Sequence, residues 1–330
     1  MDTFPTPTVD CPVPARSQRS DSATTLDRLL TEELRYSPSY AGTYSLHLAM
    51  SLVALYQLGA TSQRLQDEFD RHGDGSAEAR SDVAELHERV DEVHALGIAE
   101  VIRRRAPTLV DGPATALFHP LIRLAHGIEA DHGGQVAAAL LDWETRFHVL
   151  HHGTLYAGSR RPIEVLRALG NSEVEWPTTW DFDAVARGAE LGAALDGLGT
   201  ENLTIDDVAE LALIAHGSSG SFVTLHLVTA ARAARSVASL LDDGSQRRLC
   251  RAMVVESAVA YAATGAPRVA TAEELDLRRG AVLPSRENIA AKVIASSDPH
   301  VIKLVNVGLS EELRTGDLLY RDFAAHAVAE

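Results

Sequence analysis

Residues 42–58 most constrain the fold. They include Leu46, Leu48, Ala49, Met50, Leu52, Val53 and Leu55, and the run ends at Leu58-Gly59. Pro38 lies before the run and Gly59 after it, and apolar side chains would cover nearly the whole circumference of a helix built from it. Such a helix has no face for water, so it must be surrounded by other elements. Similar segments recur along the chain, and none alternates apolar and polar residues in the way a half-buried strand does. The helices expected are 26–35, 42–58, 115–130, 134–150, 206–215, 222–241, 245–264, 286–295, 299–309 and 317–327. Two further amphipathic helices are expected within 60–107, and 273–284 reads as irregular. Apolar residues make up 45% of the chain and aromatic ones only 5%, a balance that favours packed helices over sheets. The expectation is a single all-α domain over 23–330. A Pro-rich leader over 1–22 precedes it, carrying Pro5, Pro7, Pro12 and Pro14. Loop signals concentrate in 151–201, where Gly153, Gly158, Pro162, Gly170, Trp176-Pro177 and Trp180 fall.

The formal net charge of −16, with no basic cluster, argues against a nucleic-acid partner. Two cysteines, Cys11 and Cys250, make neither a disulfide framework nor a zinc ribbon. Glu256 interrupts the longest candidate for a membrane span, and the N-terminus lacks the pattern of a signal peptide. The expectation is a soluble cytoplasmic protein of undetermined oligomeric state.

Of 14 histidines, four stand inside apolar helical segments: His47, His119, His226 and His300. A buried imidazole needs a hydrogen-bond or metal partner. Four of them on four core helices point to one shared site, since imidazole is the commonest metal ligand. On helical spacing, Tyr44, Ser51 and Ala54 share a face with His47, and Phe222, Val223, Thr229, Ala230 and Ala233 share one with His226. His126 lies seven residues after His119 and could share its face, and His216 precedes a Gly-Ser loop. His72, His87, His94, His132, His148 and His326 lie in polar settings and read as surface residues, and the adjacent His151 and His152 point to different faces.

Lys303 is the other unusual residue. Only two of the 30 basic residues are lysines, Lys292 and Lys303. Lys303 sits in Asp298-Pro-His300-Val-Ile-Lys303-Leu304, where Asp298 fits an N-cap and Pro299 the first helical position. His300 and Lys303 then share one face at a helix start. Burial and the positive end of the helix both disfavour an ammonium there. The residues alone leave three roles open. Lys303 is a neutral nucleophile, a carbamate-forming metal ligand, or a side chain that reaches the surface or pairs with a carboxylate. Signatures of metalloproteases, phosphate loops, dinucleotide folds and serine hydrolases are absent, as is a His-Asp dipeptide. Glu129-Ala-Asp-His132 is one Glu-x-x-His match without a second to pair with.

Four segments in order resemble motifs of the questin oxidase-like family. They are Tyr44-Ser-Leu-His47-Leu-Ala-Met50, Leu117-Phe-His119-Pro-Leu-Ile-Arg123-Leu-Ala125, Phe222-Val-Thr-Leu-His226-Leu-Val-Thr-Ala-Ala-Arg232, and Asp298-Pro-His300-Val-Ile-Lys303. Together they span about residues 26–308. The resemblance implies an enzyme that oxidatively opens a ring of an anthraquinone or related aromatic polyketide. It implies Fe(II) held by His47, His119, His226, His300 and a carbon dioxide-derived carbamate on Lys303. Such a set leaves about one open position in an octahedron for dioxygen chemistry. An external reductant is a possible further requirement. Tyr44 and Arg123 are the candidates for holding substrate oxygens, with Arg123 alternatively paired to an acid such as Glu129. Leu46 stands where fungal members usually have Asn, and the stretch between the first two motifs is shorter than theirs. Two other functions use the same residues: a metal-dependent hydrolase that opens a lactone, and a polyketide-binding protein without catalysis.

Overall fold

In the computed structural model of the chain, residues 16–40, 44–73, 78–150 and 158–329 are described. The architecture is all-α. Among these residues the only paired strands are Ser39–Tyr40 and Tyr44–Ser45, an antiparallel pair with Ser39 opposite Ser45. No helix among them is long and apolar enough to cross a membrane.

Four helices form the frame of the site. Leu48–Gln57 packs against Pro299–Thr315 and against His119–Glu129. Phe222–Ala238 packs against the same two, so the four close into a ring. The apolar helix foreseen at 42–58 is buried from Leu48 to Leu55, but it starts six residues later than expected. His47 is therefore its N-cap residue and does not share a helix face with Tyr44. On Phe222–Ala238, Ala230, Ala231, Ala233 and Ala234 are all buried, and their small side chains let neighbouring helices approach closely. Helix Leu318–Ala327 packs on the outer side of Pro299–Thr315. Gly308 makes this possible, since a Cβ there would stand 2.7 Å from the Tyr320 carbonyl oxygen.

The far ends of the ring are tied by side chains. Gln57 donates to Glu129 Oε2 (2.9 Å) and accepts from Asn306 Nδ2 (2.6 Å). Ser236 donates to Glu129 Oε1 (2.9 Å), and Arg232 pairs with the same carboxylate at 3.2 Å. One carboxylate thus links three helices directly and the fourth through Gln57. The burial cost on Glu129 is outweighed by His126, Arg232 and these donors, which hold it below the usual carboxylate range.

Several boundaries differ from the sequence expectation. The first helix runs from Arg16 to Glu33, and Ser22 is buried with its hydroxyl donating to Ala60 O at 3.3 Å. So the helix begins within the stretch read as leader, and Ser22 packs into the fold. The stretch read as irregular contains helix Ala272–Arg279, started by a capping box in which Thr271 and Glu274 satisfy each other's backbone N–H. Helix His119–Glu129 begins four residues later than expected, for a reason that bears on the site.

Candidate metal centre

The four helices present their N-terminal ends to one place. His47 caps Leu48–Gln57, His119 is the first residue of His119–Glu129, His226 follows the first turn of Phe222–Ala238, and His300 and Lys303 stand in the first two turns of Pro299–Thr315. The imidazoles touch. Ring centroids are 4.8 Å apart for His47 and His119, 4.4 Å for His47 and His300, 4.9 Å for His119 and His226, and 5.3 Å for His226 and His300. The structure thus brings together all four histidines singled out in the sequence.

Three of the rings are locked through Nδ1. His119 Nδ1 lies 2.7 Å from Ala116 O, His226 Nδ1 lies 2.8 Å from Phe222 O, and His300 Nδ1 lies 3.3 Å from Asp298 Oδ1. A proton held at Nδ1 leaves Nε2 as the bare lone pair, which is the tautomer that ligates a metal. His226 Nε2 and His300 Nε2 are buried and have no hydrogen-bond partner among the described residues. His47 Nε2 and His119 Nε2 face each other at 2.7 Å. Two nitrogens about 2.1 Å from one ion and at right angles are about 3 Å apart, so this pair already has the separation of adjacent ligands. The donor nitrogens of His47, His226 and His300 lie within 4.8 Å of one another, against about 4.2 Å for nitrogens facing across an ion.

Lys303 is fully buried, and its Nζ has no hydrogen-bond partner among the described residues. This removes the surface-reaching and carboxylate-paired readings. Burial pulls its pKa from the ordinary 10.5 to about 7, with the charge of Asp298 opposing. Burial, then the Lys303 charge, holds His47 and His119 well below 6.5. His226 is lowered by burial, then by His119 and Lys303, and His300 is lowered to about 4 by burial and Lys303. All four rings are therefore neutral and can ligate without first losing a proton. The donor set fits a divalent cation: neutral imidazoles with lone pairs directed inward, and one amine that has no role as an ammonium. Four positive helix ends also favour an anion at this place, as a carbamate would be.

The position of His119 depends on an unusual turn. Ala116, Leu117 and Phe118 all adopt positive φ, of 47°, 56° and 65°. Each costs about 1 kcal/mol or more outside glycine, so the surroundings must impose the shape. Trp143 Nε1 donates to Gly112 O at 3.0 Å, and Thr115 Oγ1 accepts from His148 N at 3.1 Å. Buried Glu256 accepts from the N–H of Ala114 (2.5 Å) and of Leu150 (3.4 Å). The turn aims the Ala116 carbonyl at His119 Nδ1. Sequence reading took Glu256 only as an interruption of an apolar run. A lone acid inside such a run was the available sign of a buried acceptor.

Other expectations need correction. Arg123 does not face the site as a free substrate anchor. Its Nη2 pairs with Glu33 at 2.6 Å, and Nε and Nη2 donate to Gln135 Oε1, which ties together helices Arg16–Glu33, His119–Glu129 and Gly133–Arg146. Its acid is Glu33, while Glu129 serves the helix ring. His132 is not a surface residue: it is buried and caps Gly133–Arg146, accepting from Gln135 N at Nδ1. The Glu129–His132 match thus holds no metal. His126 is buried with Nδ1 2.8 Å from Ile122 O and stands outside the donor set, as does His216, which faces Thr224 Oγ1 at 3.2 Å. The Tyr44 side chain, Cys11, His151 and His152 lie outside the described residues. No protein-family model matches the chain, and none of the curated proteins is detectably similar to it.

Proposed function

We propose that the chain is a non-haem iron oxygenase that opens, or inserts oxygen into, a ring of a fused aromatic polyketide. The observation that carries this reading is the cluster of His47, His226 and His300, with His119 against His47 and His226 and one buried amine without a partner among the described residues, at the N-terminal ends of four helices. The resemblance of the four motifs to the questin oxidase-like family supplies the reaction class. His47, His119, His226 and His300 would hold Fe(II), and Lys303 would join them as its carbamate. Formation of the carbamate consumes carbon dioxide and releases one proton from the neutral amine. Iron so held supplies the electron transfer to dioxygen that organic side chains cannot.

The chain's own residues do the rest. The Ala116 and Phe222 carbonyls and the Asp298 carboxylate keep each Nδ1 proton in place, so ligand orientation survives turnover. The helix ends favour the carbamate and equally a phenolate oxygen brought near it. Tyr44, three residues before His47, is the candidate for holding a substrate oxygen. An external reductant belongs to the same proposal, as does a cytoplasmic setting, with which the free, buried thiol of Cys250 agrees. The test is anaerobic Fe(II) loading with elemental analysis, then exposure to hydroxyanthraquinones under labelled dioxygen. One iron per chain and label in a ring-opened product are expected. Turnover of a lactone without dioxygen would replace this reading with the hydrolase, and iron content near zero would replace it with a binding protein.

A further inference from the structure

Two large aromatic side chains are exposed beside the metal centre. Trp180 is 67% exposed and Phe222 is 48% exposed, and their ring centroids are 6.1 Å apart with the planes at 71°. The Phe182 ring stands 6.3 Å from that of Trp180. Phe222 also belongs to the centre. Its ring lies 4.7 Å from His226 and 4.6 Å from His300, and its carbonyl fixes the His226 tautomer. A chain of edge-to-face and tilted ring contacts therefore runs from solvent at Trp180, through Phe222, to the two imidazoles whose Nε2 atoms lack partners among the described residues.

The backbone that carries Trp180 is held on both sides. Thr179 N donates to Ala263 O at 3.0 Å, and Thr178 bridges Thr264, which anchors the segment to the end of helix Asp243–Ala262. Asp181 N donates to Thr179 Oγ1, and its carboxylate caps helix Phe182–Ala186 by accepting from Ala184 N. An exposed indole on a held backbone loses little freedom when a ligand stacks on it. Other exposed apolar side chains, such as Leu277 and Val282, have no described ring contact with this path. The patch is one or two rings wide, which suits a flat small molecule and not a protein surface.

We infer that Trp180 and Phe222 form an aromatic clamp that selects planar polycyclic phenols or quinones and delivers one edge of the ring system to His226 and His300. Trp180 is then the specificity residue at the mouth, and Phe222 a positioning residue inside it. This deepens the proposed function and rests on it for the identity of the centre, but the clamp is tested by binding alone.

The test titrates 1,8-dihydroxyanthraquinone into the iron-loaded full chain under argon, where no turnover occurs, and follows tryptophan emission. Trp143 is fully buried and Trp176 partly so, so Trp180 is the most exposed of the three indoles. The wild type should show saturable quenching. Trp180→Ala should bind about tenfold more weakly by equilibrium dialysis, as expected for loss of one aromatic contact, and Trp180→Phe should stay within about threefold. Cyclohexane-1,3-dione, of ring size but not aromatic, should bind both proteins alike. Circular dichroism checks that the substitution at this exposed position leaves the fold intact. Equal affinity of wild type and Trp180→Ala for the anthraquinone overturns the clamp, as does an equal loss for the non-aromatic probe. Iron content and oxygen uptake are measured on the same preparations. An intact clamp on a chain without iron would refute only the oxygenase reading, and iron with oxygen-dependent turnover unchanged in Trp180→Ala would refute only the clamp.

Discussion

Replacing Lys303 by Met should make the metal-free protein more stable, although Lys303 is the residue on which the proposed chemistry most depends. The amine is fully buried and unpartnered, so in metal-free protein it either stays charged at high cost or gives up its proton. The fall from 10.5 to about 7, at 1.36 kcal/mol per unit, corresponds to about 5 kcal/mol of stability lost at low pH. The sign follows from the direction of the shift. The folded pKa lies below the unfolded one, so the penalty is full below about 7, shrinks as pH rises, and vanishes above about 10.5. Met removes the ammonium at similar length and keeps the apolar stem, with about 1 kcal/mol returned for imperfect packing. Urea unfolding in buffer free of metal and carbon dioxide should therefore favour Lys303→Met by several kcal/mol at pH 6 and by little at pH 10. Fe(II) with bicarbonate should reverse the order, because only the wild type can form the anionic ligand and gain its binding energy. A metal-free variant less stable than wild type at pH 6 would refute the reasoning, since it would mean that the amine has a favourable partner in the fold.

Asp298→Ala should cost about 1 kcal/mol in thermal unfolding, because the carboxylate accepts from the N–H of His300 (2.7 Å) and Val301 (3.4 Å), and it should weaken Fe(II) binding on competitive chelation by freeing His300 Nδ1. Glu256 is pushed up to about 8 by burial, against the pull of two backbone donors. Its folded pKa lies above the unfolded one, so its contribution is full below about 4.5 and is lost as pH rises through 8. The wild type should lose stability relative to Glu256→Gln between those values, as measured by denaturant titration across pH. Gly112→Ala would drive a Cβ into the His148 carbonyl oxygen and against the Phe147 ring. It should destabilise by about 2 kcal/mol and lower iron content, since that turn aims His119.

The four histidines were legible because each is a polar residue inside an otherwise apolar segment, a pattern that survives without knowing where the helix begins. The helix starts at His47 and His119 were missed. The residues before them, Ser45-Leu46 and Ala116-Leu117-Phe118, contain neither Gly nor Pro, and Pro120, which fits only the first turn of a helix, was the one local sign of the second start. The three positive φ values at 116–118 are imposed by Trp143, His148 and Glu256, which lie 25 to 140 residues away in sequence and leave no trace in the local pattern. By contrast, Asp298-Pro299 announced its helix and the structure begins it there. The Thr271–Glu274 capping box was an equally good local signal for Ala272–Arg279, hidden among polar residues. Arg123 looked available for substrate because its partner Glu33 lies ninety residues away on the first helix. Polar neighbours likewise disguised His132 as a surface residue when its role is to cap a helix.

Several unfavourable features of this fold meet in one place. Three non-glycine residues in the left-handed region, two imidazole nitrogens without partners, one amine without a partner, and an exposed Trp–Phe pair all adjoin the ends of four helices. Elsewhere the buried charged side chains have at least one partner: Arg123 finds Glu33 and Gln135, and Glu129 finds Gln57, Ser236 and Arg232, although single atoms such as Arg123 Nη1 and Glu33 Oε1 stay unpaired. A chain able to pair these groups could have replaced His226 and Lys303 by leucine and gained stability. A bound cation would give the nitrogens their missing partner. Carboxylation turns the amine from a charge that the helix ends repel into one that they attract. A flat ligand covers the exposed rings. The unpaired nitrogens, the amine and the exposed rings would each be relieved by one component of the proposed complex, while the left-handed turn serves to aim the Ala116 carbonyl at His119, and that correspondence argues for a ligand-binding centre independent of any resemblance.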